Sequence, residues 1–142
     1  MSASRPIPKA LWWLAGLIAL AVASTMLAGV VLYLETQAAA RRTAEGITGG
    51  DATAGRKLVA AYGCGGCHSI PGVAGAAGEV GPSLKGVAVR AHLAGKLPND
   101  PDTMRRWLQH PQAISPGTGM PELGVSDRDA RDMSAYLYTL KE

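Results

Sequence analysis

The longest apolar run in the chain lies near its N-terminus. Residues 11–34 are consecutive positions without a charge and consist mainly of Leu, Ala, Val, Ile and Trp. A bilayer core of about 30 Å needs roughly 20 such residues in a helix, so this run predicts one transmembrane anchor with some tilt. Trp12 and Trp13 at one end and Tyr33 at the other are typical of aromatic belts at membrane interfaces. Residues 1–10 precede the anchor.

The charges beside this run predict its orientation. Arg5 and Lys9 favour a cytoplasmic N-terminus, so the rest of the chain is expected on the outer side of the membrane, which for a bacterial inner membrane is the periplasmic side; Arg41 and Arg42 on the far side weaken this bias. A cleaved signal peptide ending at residues 38–40 is the alternative. Its apolar region should span only about 7–15 residues, so a retained single-pass anchor is favoured and cleavage stays open.

Residues 35–50 are predicted to be a linker. The Ala- and Arg-rich part up to Thr43 can continue the helix, and Gly46, Gly49 and Gly50 indicate a flexible joint. If all of residues 35–50 were flexible, their typical end-to-end distance would be about 20–25 Å. Such a short tether suits a domain that serves a neighbour in its own complex.

Beyond residue 50, capping residues and apolar spacing predict three helices separated by irregular segments rich in Gly and Pro. No stretch predicts a strand, so residues 51–142 are predicted to form one all-α domain. The predicted helices cover residues 54–61 with a cap at Asp51 or Thr53, residues 101–109 with a cap at Asn99 or Asp100, and the segment from Ser126 to Leu140.

Residues 64–68, with the sequence Cys-Gly-Gly-Cys-His, carry the most specific chemical signal. A C-x-x-C-H run predicts covalent haem c, with thioethers from Cys64 and Cys67 and iron ligation by His68. A zinc site would need four protein ligands, and the chain has only two cysteines. A thioredoxin-type pair would need a βαβ context. A structural disulfide is possible in an oxidising compartment but gives no reason for His68.

Composition fits a small haem domain. Eighteen Gly, nine Pro and no Phe indicate a loop-rich domain whose core lacks aromatic bulk that one haem would supply. Of the 14 Lys and Arg residues, Arg5 and Lys9 precede the apolar run, which leaves 12 against 11 acidic residues. No concentrated basic face is present, so a nucleic-acid partner is not expected.

Residues 51–141 resemble a class I cytochrome c domain. The N-terminal helix, the C-x-x-C-H run, the Gly-Pro loop at residues 81–86, a Met-Pro loop and a final helix follow the family's order. The segment Asn99–Leu140, with Pro-Gly-Thr-Gly-Met-Pro at residues 116–121, is similar to cytochrome c domains fused to subunit II of bacterial haem-copper oxidases. The resemblance implies a class I cytochrome c fold around one covalent haem.

The resemblance also implies the axial ligands. His68 would be the proximal ligand, with the Pro82 carbonyl accepting its other ring N–H, and Met120 would be the distal ligand. The sequence supports Met120 independently, because a rigid Pro/Gly loop presents it after the haem motif. Met104 and Met133 lie in helical patterns typical of core residues. His92 and His110 remain alternative distal ligands and otherwise are surface residues.

Further roles follow from the same resemblance. Arg90 and Thr118 correspond to positions that bond a haem propionate, and Trp107 to one that packs beside the haem. For Arg90 a solvated side chain is the alternative, and for Trp107 a core role. Gly55 and Tyr136 correspond to the close crossing of the terminal helices.

The expected function is single-electron transfer by an anchored monohaem cytochrome c rather than enzymatic catalysis. The chain is expected to be a subunit that feeds a terminal oxidase or another respiratory or photosynthetic complex, with no small-molecule substrate. A freestanding anchored shuttle between a cytochrome bc complex and its acceptor is the main alternative. A haem peroxidase or gas sensor would need Met120 to be displaceable.

Overall fold

The first helix, α1, spans Lys9–Thr48. The structure is a computed structural model that describes residues 8–141; residues 1–7, which include the predicted orienting charge Arg5, and residue 142 lie outside the described part. An 18-residue window of α1 has a mean hydropathy of 2.3, and none of that window is buried. By length and composition, α1 is therefore able to cross a membrane, as the apolar run predicts.

The chain divides into two compact units, the first ending at Ala38 and the second beginning at Ala39. Within the second unit the last turns of α1 are packed, because Ala44 is only 1% exposed and the Glu45 carboxylate accepts from the Ala52 backbone N–H at 3.1 Å. Gly46 lies inside this helical stretch. The helix thus continues past Thr43, as far as Thr48, and of the three glycines predicted to form a joint Gly49 and Gly50 lie beyond its end.

The second unit is helical, with short irregular connections. The three predicted helices are present, and their caps form at Asp51, Asp100 and Ser126. The last helix ends at Leu137, earlier than the predicted Leu140. The helices of this unit are α2 (Ala52–Ala61), α3 (Pro101–Gln109), α4 (Pro111–Ile114) and α5 (Asp127–Leu137), with single 3₁₀ turns at Cys64–Gly66 and Val87–Val89.

Two small elements were not predicted. Helix α4 is a single turn that follows α3 directly, with Pro111 at its first position. The strands β1 (His92–Leu93) and β2 (Leu97–Pro98) pair to form a short antiparallel hairpin. Two-residue strands are too short to give an alternating pattern, so the expectation of no strand missed this hairpin.

The core forms where α2 crosses α5. The backbone of Gly55 lies so close to the Asp132 carbonyl that a Cβ at residue 55 would overlap it. The crossing predicted at Gly55 is thus present, and Tyr136 lies one turn further along α5, 7% exposed, with its hydroxyl donating to the Pro71 carbonyl. The buried side chains around this crossing include Val59, Met104, Leu108, Ala130, Met133 and Leu137.

Candidate haem site

One apolar cavity of about 370 Å³ lies within the second unit. Ligand sites of small molecules and cofactors are typically concave, largely apolar and of about this size or larger. The cavity is lined by residues from α2, α3, α5 and the connecting loops. All eight side chains that the sequence predicts to bind the cofactor line it, namely Cys64, Cys67, His68, Pro82, Arg90, Trp107, Thr118 and Met120.

A single turn after α2 brings the haem motif to the cavity. The backbone N–H groups of Cys67 and His68 both donate to the Cys64 carbonyl, at 3.2 and 2.9 Å. The two cysteines form no disulfide, and burial raises the pKa of the Cys64 thiol. Two thiols and an imidazole therefore line the same cavity within five residues of chain, as covalent haem attachment requires.

The loop after the motif fixes the His68 ring. The Pro82 carbonyl lies 2.7 Å from Nδ1 of His68, and because a carbonyl only accepts, Nδ1 carries the hydrogen. Nε2 then keeps its lone pair for a metal. The Gly81 backbone packs against the ring so closely that a Cβ there would lie 2.7 Å from Nδ1. The hydrogen bond expected between His68 and Pro82 is thus present.

Met120 is half-buried in the irregular segment between α4 and α5. The side-chain amide of Gln112, on α4, bonds this segment: its Nε2 donates to the carbonyls of Thr118 and Met120, both at 2.7 Å. Sequence reasoning missed Gln112, because no spacing rule links a helix residue to loop carbonyls six and eight residues later.

Arg90 is held at the cavity by backbone carbonyls. Its Nη2 donates to the carbonyl of Ser83 and, at 2.8 Å, to that of Lys85. The Arg90 carbonyl in turn accepts from Nδ2 of Asn99 at 2.7 Å. The guanidinium therefore has a defined position and is not a freely solvated side chain.

The buried Tyr138 holds Asn99, the residue that bonds the Arg90 carbonyl. The Tyr138 hydroxyl donates to Oδ1 of Asn99 at 2.8 Å, and burial raises the pKa of Tyr138 to about 12. The neutral phenol therefore donates this bond across the physiological pH range. Asn99 and Tyr138 were not predicted as supporting residues, since their contact joins two distant parts of the chain.

The other histidines and methionines occupy different surroundings. His92 borders the cavity but is exposed, whereas His110 is exposed, does not line the cavity and lies 3.8 Å from the Glu122 carboxylate. Met104 and Met133 are 2% and 1% exposed, in agreement with their predicted core role. Both also contribute to the wall of the cavity.

The donor set fits a haem better than a bare metal ion. Among residues 8–141 no group of three or more His, Cys, Asp or Glu side chains is arranged to hold a metal. The cavity is instead lined by the imidazole of His68, the thioether of Met120 and the two thiols, in largely apolar surroundings. Histidine with methionine is an axial pair of cytochromes c, and paired thiols next to the histidine suit covalent attachment.

Comparison with known proteins identifies the family. The sequence model of the family described as Cytochrome c matches residues 52–141. The chain belongs to the cytochrome c family. Its mostly helical second unit and its cysteine and histidine motif are those of a class I c-type cytochrome.

Two curated proteins resemble this cytochrome c. The "Cytochrome c oxidase subunit 2" of Alkalihalophilus pseudofirmus is 33% identical over 91 residues, which are 63% of this chain and 26% of that protein. The "Cytochrome c2" of Rhodopila globiformis is 38% identical over 76 residues, 44% of this chain and 72% of that protein. This cytochrome thus spans about a quarter of the length of the oxidase subunit. No solved structure gives a significant match.

Membership of the family supports electron transfer. This cytochrome c has the two cysteines that fit covalently bound haem c, and its relatives are named for oxidase and cytochrome c2 proteins. An electron-carrier role is therefore the function that family membership supports.

Proposed function

We propose that this protein is a membrane-anchored monohaem cytochrome c that carries single electrons on the outer face of a bacterial membrane. The observation that carries the proposal is convergence: His68 and Met120 line the same apolar cavity as Cys64 and Cys67. Haem c, when bound, supplies the one-electron chemistry of iron that alternates between the ferrous and ferric states. The chain's own residues hold, orient and shield this group.

Each ligand has a separate task. Cys64 and Cys67 would hold the haem covalently, and His68, oriented by the Pro82 carbonyl, would offer Nε2 to the iron. A hydrogen bond of this kind fixes the tautomer and raises the basicity of the ligand. Met120 provides a thioether, which raises the reduction potential. If His68 and Met120 both held the iron, oxygen or peroxide would find no open position on it, which favours a carrier over a peroxidase or gas sensor.

The polar and aromatic residues act on the periphery of the haem. The positive charge of Arg90, held by the Ser83 and Lys85 carbonyls, suits a propionate, and Thr118 offers a hydroxyl to the same group. Trp107 is half-buried on α3 and supplies a flat apolar surface to the cavity. Together these residues would shield part of the haem from water, and burial is one means by which a protein tunes the potential.

The axial ligands are tested on the full-length chain in detergent. We expect covalent haem to survive organic extraction and the ferric protein to have the weak band of a Met–iron bond. Met120→Leu should abolish that band, while the matched change Met104→Leu, at a buried methionine of the same cavity, should keep it. A colourless extracted polypeptide would refute the haem proposal. A band that survives Met120→Leu would refute the distal assignment and direct attention to Met104 and Met133, the other methionines of the cavity wall.

The proposed role is that of a subunit that feeds a terminal oxidase or another respiratory or photosynthetic complex. Residues 39–48 are helical and packed in the second unit, so less chain is free to act as a tether than residues 35–50 would provide. The similarity to an oxidase subunit 2 supports the same arrangement. The similarity to a cytochrome c2 favours the alternative, an anchored shuttle between a cytochrome bc complex and its acceptor.

Mild detergent extraction separates these arrangements. Co-purification of the chain with large redox subunits in a fixed ratio supports the subunit role. A lone small cytochrome that is reduced by one complex and oxidised by another supports the shuttle. Protease added to intact spheroplasts should remove the haem domain and leave the anchor, since we propose a single pass through the bacterial inner membrane with the domain outside.

A further inference from the structure

The loop that carries Met120 makes few bonds of its own. Within the described part of the chain, residues 116–124 make one backbone–backbone hydrogen bond, from the Thr118 N–H to the Ser115 carbonyl at 3.0 Å. Pro116 and Pro121 have no N–H to contribute. The position of the Met120 backbone therefore depends on groups outside this segment.

Gln112 supplies most of the missing bonds. Its Nε2 donates to the carbonyls of Thr118 and Met120 at 2.7 Å each, and its Oε1 accepts from the Gly117 N–H at 3.1 Å. The backbone N–H of Gln112 also donates to Oε1 of Glu122 at 3.1 Å. Gln112 is thus hydrogen-bonded to residues before Met120, to Met120 itself and, through its backbone N–H, to Glu122 after it.

The orientation of the amide follows from its partners. Two carbonyls face one end of the Gln112 side chain and an N–H faces the other, so a flipped amide would set acceptor against acceptor and donor against donor. Both Nε2 hydrogens and one Oε1 lone pair are used. A glutamine is therefore matched to this loop in a way that neither a carboxylate nor an apolar side chain reproduces.

We propose that Gln112 is a positioning residue whose side chain holds Met120 as an axial ligand by fixing the loop from Gly117 to Met120. This inference rests on the proposed function, in which Met120 ligates the haem iron. The residue acts on the equilibrium between the bound and the released thioether. Without the amide, the loop gains conformations in which the Met120 sulfur has left the iron, and an external ligand competes more easily.

Imidazole added to the ferric full-length holoprotein measures this competition. Gln112→Leu removes all three side-chain bonds at similar size, and Gln112→Glu keeps an acceptor for the Gly117 N–H while removing both donors. We expect each variant to bind imidazole at least tenfold more tightly than the wild type, which corresponds to about 1.4 kcal/mol. The control Gln109→Leu changes a half-buried glutamine at the end of α3 and should stay within about twofold of the wild type.

The possible outcomes distinguish a positioning role of Gln112 from a general effect on stability and from failure of the haem proposal. Unchanged imidazole affinity in both variants overturns the proposal, even if the temperature of unfolding falls. If Gln112→Leu does not fold, Gln112→Glu carries the test, and failure of both to give holoprotein makes Gln112 a folding residue and overturns the positioning role. A wild-type ferric spectrum without the Met–iron band refutes the assignment of Met120 as a ligand. An intact band, together with unchanged imidazole affinity in both Gln112 variants, refutes only the positioning role of Gln112.

Discussion

At the scale of single residues, the proximal side of the site is defined by two neighbours in sequence. Pro82 accepts a hydrogen bond from His68, while Gly81 leaves room for the ring. The proline ring restricts the backbone at residue 82, next to the carbonyl that accepts this bond. Glycine is required at residue 81 because any Cβ there would lie against the imidazole. The orientation of the ligand therefore depends on two residues that need not touch the iron.

Gly81→Ala tests this dependence. The added Cβ would lie 2.7 Å from Nδ1 and 2.9 Å from Nε2 of His68, so the ring must move and the bond to the Pro82 carbonyl must weaken. We expect a loss of stability of about 1–3 kcal/mol and a changed reduction potential. Denaturant unfolding and potentiometry measure the two effects.

Gly66→Ala is the control for this change, because a Cβ at residue 66 has no neighbour within 4 Å and the C-x-x-C-H motif leaves this position free. If Gly81→Ala matched Gly66→Ala in both stability and potential, the contact with His68 would have no role in orienting the ligand.

Much of the candidate site could be predicted from the sequence. The C-x-x-C-H spacing identifies Cys64, Cys67 and His68 because covalent geometry sets that spacing. Met120 stands out because a Pro/Gly loop presents it. Gln112 could not be found, since its role depends on how α4 and the following loop approach each other, and such distances are not written in any local pattern.

At the scale of elements, the helix starts were predictable because capping is local chemistry. Asp100 precedes α3, and its carboxylate accepts from the Thr103 N–H at 2.9 Å and from the Thr103 hydroxyl at 2.8 Å. Hydrogen bonds from the Thr103 backbone and side chain hold the pKa of Asp100 below its usual range. The short α4 and the β1–β2 hairpin lacked such signals and appear only in the folded chain.

The lowered pKa of Asp100 predicts a pH-dependent contribution to stability. Because the folded pKa lies below the unfolded value of about 3.9, the stabilisation is present above that value and is lost as the pH falls through the folded pKa. Asp100→Asn keeps a cap but removes the charge at the start of α3, so we expect it to cost about 0.3–1 kcal/mol at pH 7. The difference should vanish in unfolding measured at strongly acidic pH.

Asp100→Ala loses the cap as well and should be less stable than Asp100→Asn at every pH. A difference between wild type and Asp100→Asn that persists unchanged into acid would contradict the assignment of the carboxylate as the titrating group.

The crossing of α2 and α5 gives the sharpest prediction for packing between elements. A Cβ at Gly55 would overlap the Asp132 carbonyl and lie 3.0 Å from the Met133 backbone N, so Gly55→Ala must push the two helices apart. Backbone atoms cannot change rotamer to relieve the overlap. We expect a loss of about 2–3 kcal/mol, measured by denaturant unfolding of the holoprotein.

Gly46→Ala is the matched control, because Gly46 is also helical but a Cβ there has no neighbour within 4 Å. Alanine has the higher helix propensity, so this change should raise stability by up to about 1 kcal/mol. Equal effects of the two changes would mean that the α2–α5 contact is not close enough to exclude a methyl group.

At the scale of the whole molecule, the sequence predicts an anchor, a linker and a haem domain, and the second compact unit of the structure begins at Ala39, within the predicted linker. Glycines at residues 46, 49 and 50 predict a joint, because glycine is typical of flexible segments. In the structure Ala44 is buried and Glu45 bonds the first residue of α2. A single small buried side chain and a single hydrogen bond leave no periodic pattern, so the sequence alone could not place residues 39–48 with the domain.

This boundary predicts that two soluble fragments differ in stability. A fragment that begins at Ala39 retains the packed turns of α1, whereas one that begins at Asp51 exposes the surface under Ala44 and leaves the Ala52 N–H without the Glu45 carboxylate. We expect the longer fragment to be more stable by about 1–3 kcal/mol in denaturant unfolding, with haem attached to both. Glu45→Ala in the longer fragment should remove about 1 kcal/mol of this difference, since it deletes that bond and leaves Ala44 in place. Fragments of equal stability would instead support a domain that begins at residue 51, with residues 39–50 contributing nothing to its fold.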